Sequence, residues 1–222
     1  GCYHFYRLVS RSFFAMSILS TKLETVFADP KPAYVIKTFV YDHSFANDGT
    51  YKDAFFGKLP EFLKDKGERV IFFANILGDY KSCLKMIEDC PNAVIIPVDY
   101  FGSFSSILKA VLASWFYKPQ VKGPVKFLNY EVSRLVNAEL ASCSSYIQPY
   151  QYLHYDQTKA LLNEIPAKTF LMTYENNPWE KMCMMAVRES SPGTEIIGYQ
   201  HTVTPQASVN MFISKEEEGV IP

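Results

Sequence analysis

Residues 168–182, KTFLMTYENNPWEKM, join an apolar run to a polar loop and then to a second apolar pattern. The apolar run is typical of a buried strand that ends near Glu175. Asn176 and Asn177 form the loop, and Pro178 suits the first turn of a helix, where a missing N–H costs nothing. The stretch therefore predicts a strand, a short loop and a helix, which is one unit of an alternating α/β fold.

The same alternation extends along the chain in both directions. Its strands are apolar without alternating, as in a parallel sheet that is buried on both faces. We therefore predict an α/β fold: a Rossmann-like parallel sheet with helices on both faces, spanning 33–222 after a helical segment at 1–32, with an insertion or cap at about 103–165. Strands are predicted at 33–40, 68–76, 93–98, 168–174 and 194–200, helices at 3–27, 53–65, 79–89, 103–118, 125–147, 151–164 and 178–190, and a loop at 202–210.

Composition excludes several classes of protein. The net charge is −1 and the basic residues are scattered, which argues against a nucleic-acid surface. The five cysteines are far apart and form no CxxC, so we expect neither a disulfide framework nor a zinc site. Free cysteines fit a reducing compartment, and we expect the protein to be cytoplasmic. No apolar run reaches the roughly 18 residues that a membrane span needs.

Familiar catalytic motifs are absent from the sequence. It contains no GxGxxG, GxxxxGK[ST], GxSxG or HExxH, so neither a bound dinucleotide, a P-loop, a hydrolase elbow nor a metal centre is predicted. We expect no cofactor. Two kinds of function remain compatible with the sequence: acid/base chemistry by a carboxylate or an imidazole, and binding of a polar ligand such as a sugar.

Polar residues follow three of the predicted strands, and ligands of open parallel sheets bind outside the carboxyl ends of strands. If these strands are neighbours, their polar groups converge on one crevice. Alternatively, Glu175 serves the dipole of the following helix, the histidines are ordinary loop residues, and Trp179 is a core aromatic. His4 and His154 lack such neighbours and receive no predicted role. The predicted catalytic residues are Glu175, His201, Asp42 and His43, and the predicted substrate-binding residues are Asn176, Trp179, Tyr199, Gln200 and Tyr41, with Thr202 beside them.

Three stretches resemble a known family. YENNPWEKM at 174–182, IIGYQHTVTPQ at 196–206 and the region from 39 to 67 are similar to bacterial and archaeal surface-carbohydrate biosynthesis proteins, which resemble glycosyltransferases built from two Rossmann domains (GT-B). The similarity covers about 34–80 and 168–215, and the helical middle does not match.

The resemblance implies the acceptor-side, N-terminal domain of a glycosyltransferase in surface polysaccharide or lipopolysaccharide biosynthesis. A second domain, expected beyond residue 222, would hold the nucleotide-sugar donor, and a sugar or lipid-linked molecule would be the acceptor. Asp42 or His43 could then be the general base, and Glu175 could bind a hydroxyl or orient His201. The motifs that flank Glu175 and His201 match the family better than the one that flanks Asp42 and His43, so we rank Glu175 and His201 first.

Two other functions stay open: a non-catalytic carbohydrate-binding or scaffold module, and a domain like that of a sugar-nucleotide epimerase. The first helix could pack on the sheet, pair with a second copy of the chain, or lie on the inner face of a membrane. Its few positive charges, Arg7, Arg11 and Lys22, would attach it only weakly to lipid.

Overall fold

Five parallel strands form the central sheet of the protein, in the spatial order Val94–Pro97, Arg69–Ile76, Ala33–Val40, Ala167–Thr173 and Glu195–Tyr199. A computed structural model describes residues 2–116, 120–143, 148–201 and 215–222, so the predicted loop at 202–210 and Thr202 lie outside it. The strands are β1 (Ala33–Val40), β2 (Arg69–Ile76), β3 (Val94–Pro97), β6 (Ala167–Thr173) and β7 (Glu195–Tyr199), with a separate hairpin of β4 (Lys126–Phe127) and β5 (Tyr130–Glu131). The helices are α1 (Cys2–Phe27), α2 (Leu59–Asp65), α3 (Tyr80–Asp89), α4 (Phe104–Phe116), α5 (Ser133–Cys143), α6 (Gln148–Glu164) and α7 (Pro178–Ser190).

The chain winds outward from β1 in two opposite directions. It runs from β1 to β2 and β3 on one side, then returns to β6 on the other side of β1 and continues to β7. Right-handed crossovers that run in opposite directions place their helices on opposite faces of the sheet. The predicted α/β fold with a Rossmann-like parallel sheet flanked by helices is therefore confirmed.

The core is buried on both faces of this sheet. The burial of β1 and β2 is nearly continuous rather than alternating, as the sequence predicted. One large cluster joins the strands to α3 and α7, and α1 contributes Ala15, Leu19 and Leu23 to it. A smaller cluster lies among α1, α4 and α6. Of the three roles left open for the first helix, packing against the body of the protein is the one observed.

Two predicted helices differ from the structure. The helix expected at 53–65 begins only at Leu59, because the residues before it form turns. The long helix expected at 125–147 is wrong: 126–131 is a hairpin, and helix α5 follows it. The hairpin turns at Leu128 and Asn129, whose φ angles are 47° and 70°, as a tight two-residue connection requires. Phe127 and Leu128 fit the apolar spacing of the predicted helix, yet both side chains are exposed.

Cys83, Cys90 and Cys183 are buried free thiols. Among the helices that the structure describes, none is both long and apolar enough to cross a membrane.

Candidate functional site

The site region lies where the direction of winding reverses. β1 pairs with β6, and β6 pairs with β7, so the three strands that end in the predicted polar residues are neighbours. Thr173 and Tyr199 are opposite each other in the register of β6 and β7, so these two strands end at the same level. A crevice between β1 and β6 is the usual ligand position of an open α/β sheet.

Glu175 and His201 are brought together at this edge. Oε1 of Glu175 lies 3.8 Å from Nε2 of His201, with the two side chains 37% and 20% exposed. This distance suits an ion pair when the imidazole is protonated, and it is slightly long for a direct hydrogen bond. The sequence predicted that the two residues share an edge and that Glu175 could orient His201, and the structure places them side by side.

The loop between β1 and α2 reaches this pair. The ring of Phe55 packs edge-on against His201, with 4.9 Å between ring centroids, and Phe56 packs against Tyr199. The loop is held by Asp53, which is buried and accepts hydrogen bonds from the Thr38 side chain and from the backbone N–H of Phe55. Asp53 was not among the predicted site residues, because an acid after a polar turn is typical of an ordinary helix start.

Tyr41, Asp42 and His43 lie at the end of β1 but make other contacts. Asp42 accepts a hydrogen bond from the Cys83 thiol of α3, so it lies toward β2, on the side of β1 away from β6. His43 is exposed and stacks on Tyr41 with 4.9 Å between ring centroids. The four predicted catalytic residues thus share one edge of the sheet, and the described contacts join only Glu175 and His201.

The loop after β6 has a specific backbone geometry. Asn176 adopts a φ of 60°, a left-handed conformation that asparagine tolerates better than most residues. Its side chain accepts a hydrogen bond from the Tyr174 hydroxyl. This conformation turns the chain sharply between Glu175 and the start of α7.

Glu180, on the first turn of α7, anchors the loop between β6 and α7. Its buried carboxylate accepts hydrogen bonds from the backbone N–H groups of Glu175 and Asn177 and forms a capping box with Asn177. Burial raises the pKa of Glu180, and the hydrogen bonds from Asn177 and Glu175 oppose that rise. Asn at 177 followed by Glu three residues later is a capping signal that the sequence analysis did not use.

The remaining predicted binding residues differ in position. Trp179 is half-buried between Phe39 and His154, as a core aromatic would be. Tyr199 is 46% exposed, and Gln200 follows it at the surface. The Tyr199 ring is therefore accessible at the carboxyl edge of the sheet, whereas the Trp179 ring packs against the hydrophobic core.

Two further ionisable residues lie near Trp179. Lys37, on β1, is fully buried, its Nζ has no hydrogen-bond partner in the described structure, and Nζ lies 5.0 Å from the Trp179 ring centroid. Burial lowers the pKa of Lys37 to about 8. Burial and the Lys37 charge hold the pKa of His154 well below its usual value. A single lysine within the apolar run AYVIKTFV was the signal for Lys37, and no local signal marked His154.

Strand order, winding and the polar edge define a Rossmann-like α/β protein with a candidate ligand site at its switch point. No protein-family model, no curated protein and no solved structure matches the chain. Within the part of the chain that the structure describes, no cluster of histidine, cysteine or carboxylate side chains could hold a metal ion.

Proposed function

We propose that this chain is the acceptor-side domain of a glycosyltransferase of the GT-B type that assembles surface polysaccharide or lipopolysaccharide. One observation carries the proposal: the carboxylate of Glu175 and the imidazole of His201 lie 3.8 Å apart at the carboxyl edge of the sheet. A carboxylate beside an imidazole is the arrangement that orients a general base. The motifs that resemble the carbohydrate-biosynthesis family include both residues.

In this proposal His201 takes the proton of an acceptor hydroxyl. The hydroxyl oxygen then forms a bond to the anomeric carbon of the donor sugar, and the bond from that carbon to the nucleotide diphosphate breaks. The diphosphate leaves with the bonding electrons, and Glu175 stabilises the imidazolium that has formed. The donor would be held by a second domain, as the resemblance implies.

The surroundings of the pair suit a sugar. Phe55 and Tyr199 present rings beside His201 and at the end of β7, where they can cover the C–H face of a pyranose. Gln200 and Asn176 supply amides close to the same strand ends. Asp42 and His43 stand second as candidates for the base, because their described contacts lead to Cys83 and to Tyr41.

We expect His201→Ala and Glu175→Gln each to lower the rate of glycosyl transfer by about 100-fold, the usual contribution of a positioned acid/base group. The measurement is transfer of radiolabelled sugar by the intact protein from UDP-glucose, UDP-galactose, UDP-N-acetylglucosamine or GDP-mannose to a lipid-linked or saccharide acceptor. Circular dichroism of each variant reports whether the fold is retained.

Glu195→Gln is the matched control, because this exposed carboxylate lies at the opposite end of β7 and should leave the rate unchanged. Undiminished transfer by both edge variants would contradict the assigned roles. Saccharide binding without transfer would favour a binding module. Recovery of an inverted sugar nucleotide would favour an epimerase.

A further inference from the structure

A cavity opens at the carboxyl ends of β2 and β3, between α1 and α6. Its volume is about 300 Å³, at the lower end of the range for small-molecule sites. Neither Glu175 nor His201 contributes to its walls. It is lined by charged and polar side chains, His4, Arg7, Arg11, Asn75, Asp99, Tyr150, His154 and Gln157, and by the apolar residues Leu8, Ile76, Leu77, Val98 and Leu153.

Arg11 forms a fixed part of the wall. Its guanidinium contacts the Asp99 carboxylate at 3.0 Å and donates to the backbone oxygen of Ile76 at 3.1 Å. The ring of Tyr80 lies 4.0 Å from the guanidinium carbon. Arg11 and Asp99 therefore neutralise each other, and this pair holds α1 to the ends of the strands.

Arg7 supplies a positive charge that the described structure leaves unpaired. It lies one helical turn before Arg11 on α1, lines the cavity and is exposed, and no carboxylate of the described residues pairs with it. With Arg11 balanced by Asp99, the walls carry a net positive charge. A cavity of that sign favours an anion.

Buried polar groups also line the cavity. His154 is 7% exposed and Gln157 is 3% exposed, both on α6. Nδ1 of His154 has no hydrogen-bond partner in the described structure. Buried polar groups without partners are costly, and they are commonly satisfied by a ligand or by water. The Lys37 charge, which acts on both Asp99 and His154, adds to the positive field here.

We propose that this cavity binds a small molecule with an apolar body and one oxyanion group, a phosphate ester or a carboxylate. Arg7 would pair with the oxyanion, since a guanidinium fork matches either group. His154 and Gln157 would meet polar atoms of the ligand, and the leucine, isoleucine and valine side chains would cover its body. The cavity is independent of the proposed glycosyl transfer.

The histidines provide a localised test, because the chain contains only four. His4 and His154 line the cavity, whereas His43 and His201 lie at the other strand ends. Phenyl phosphate and benzoate, titrated at low ionic strength, should move the side-chain NMR signals of His4 and His154 and leave those of His43 and His201 in place. Benzyl alcohol, the neutral counterpart, should move none of them.

Replacing Arg7 by glutamine should weaken binding of the anionic probe by about tenfold or more, because a charge-assisted hydrogen bond is lost. Arg134→Gln, which removes an exposed arginine from α5, should leave the affinity unchanged. The two anionic probes distinguish a phosphate site from a carboxylate site by their relative affinity.

Three outcomes would overturn this proposal: neither anion moves the His4 and His154 signals, benzyl alcohol binds as tightly as the anions, or Arg7→Gln binds as tightly as the unaltered protein. None of these depends on glycosyl transfer. An inactive His201→Ala variant that still binds the anionic probe would show that anion binding in this cavity does not depend on His201.

Discussion

Lys37→Met is expected to raise the free energy of unfolding by about 3 kcal/mol at pH 7, which follows from a pKa lowered from 10.5 to about 8. Lys37 is fully buried on the central strand, and its ammonium group has no hydrogen-bond partner in the described structure. The rings of Phe73 and Trp179 offset only part of the lost hydration. Methionine has a similar length and carries no charge, so it can fill the same space.

The gain should depend on pH in a defined direction. Below pH 8 the lysine is protonated in both the folded and the unfolded state, and the full cost of burying the charge is present. Between about pH 8 and 10.5 the unfolded state binds more protons, so the unaltered protein becomes more stable as pH rises. The advantage of Lys37→Met should therefore fade across this interval and vanish above it.

Urea unfolding followed by circular dichroism at pH 7, 9 and 10.5 measures the effect. Lys52→Met, an exposed control on the loop after β1, should change stability little at any of these values. The pKa of His154 should also rise in Lys37→Met, because the lysine charge contributes to its depression. A less stable Lys37→Met protein would contradict the prediction and would mean that the ammonium group has an energetically important partner.

Glu180→Ala is expected to lower the free energy of unfolding by about 3 kcal/mol, because two partly buried backbone N–H groups lose their acceptor. The carboxylate accepts from the N–H of Asn177 at 2.7 Å and from the N–H of Glu175 at 3.1 Å. The substitution also opens space beneath the loop, since Glu180 is fully buried. Glutamine at this position retains one acceptor oxygen, so Glu180→Gln should cost less.

Chemical unfolding of the two variants measures this effect. Glu189→Ala is the control: this exposed carboxylate on the last turn of the same helix pairs with Lys159 and Tyr155 at the surface, and exposed pairs of this kind contribute little to stability. We also expect hydrogen exchange at the amides of Glu175 and Asn177 to accelerate in Glu180→Ala. Unchanged exchange there would show that the loop is held by other contacts.

The fold was largely predictable because its signals are local. Residues such as Phe170 and Leu171 form an apolar run, Pro178 marks a helix start, and both can be read within a few positions of the chain. Local signals failed at Leu128, where helix-like apolar spacing occurs in a hairpin whose turn needs left-handed backbone angles. Lys37 was overlooked as well: a lysine within an apolar run marks it in the sequence, but its burial depends on α7 packing over β1.

By itself, the sequence determined the alternation of buried strands and helices, and with it the parallel sheet and the polar residues that follow its strands. Only the tertiary structure decided that Glu175 lies beside His201, and that Arg7 and His154 line one cavity. The reason is physical: periodicity depends on neighbours along the chain, whereas a contact such as that between Arg11 and Asp99 joins residues 88 positions apart. Such contacts form only when whole helices and strands pack together.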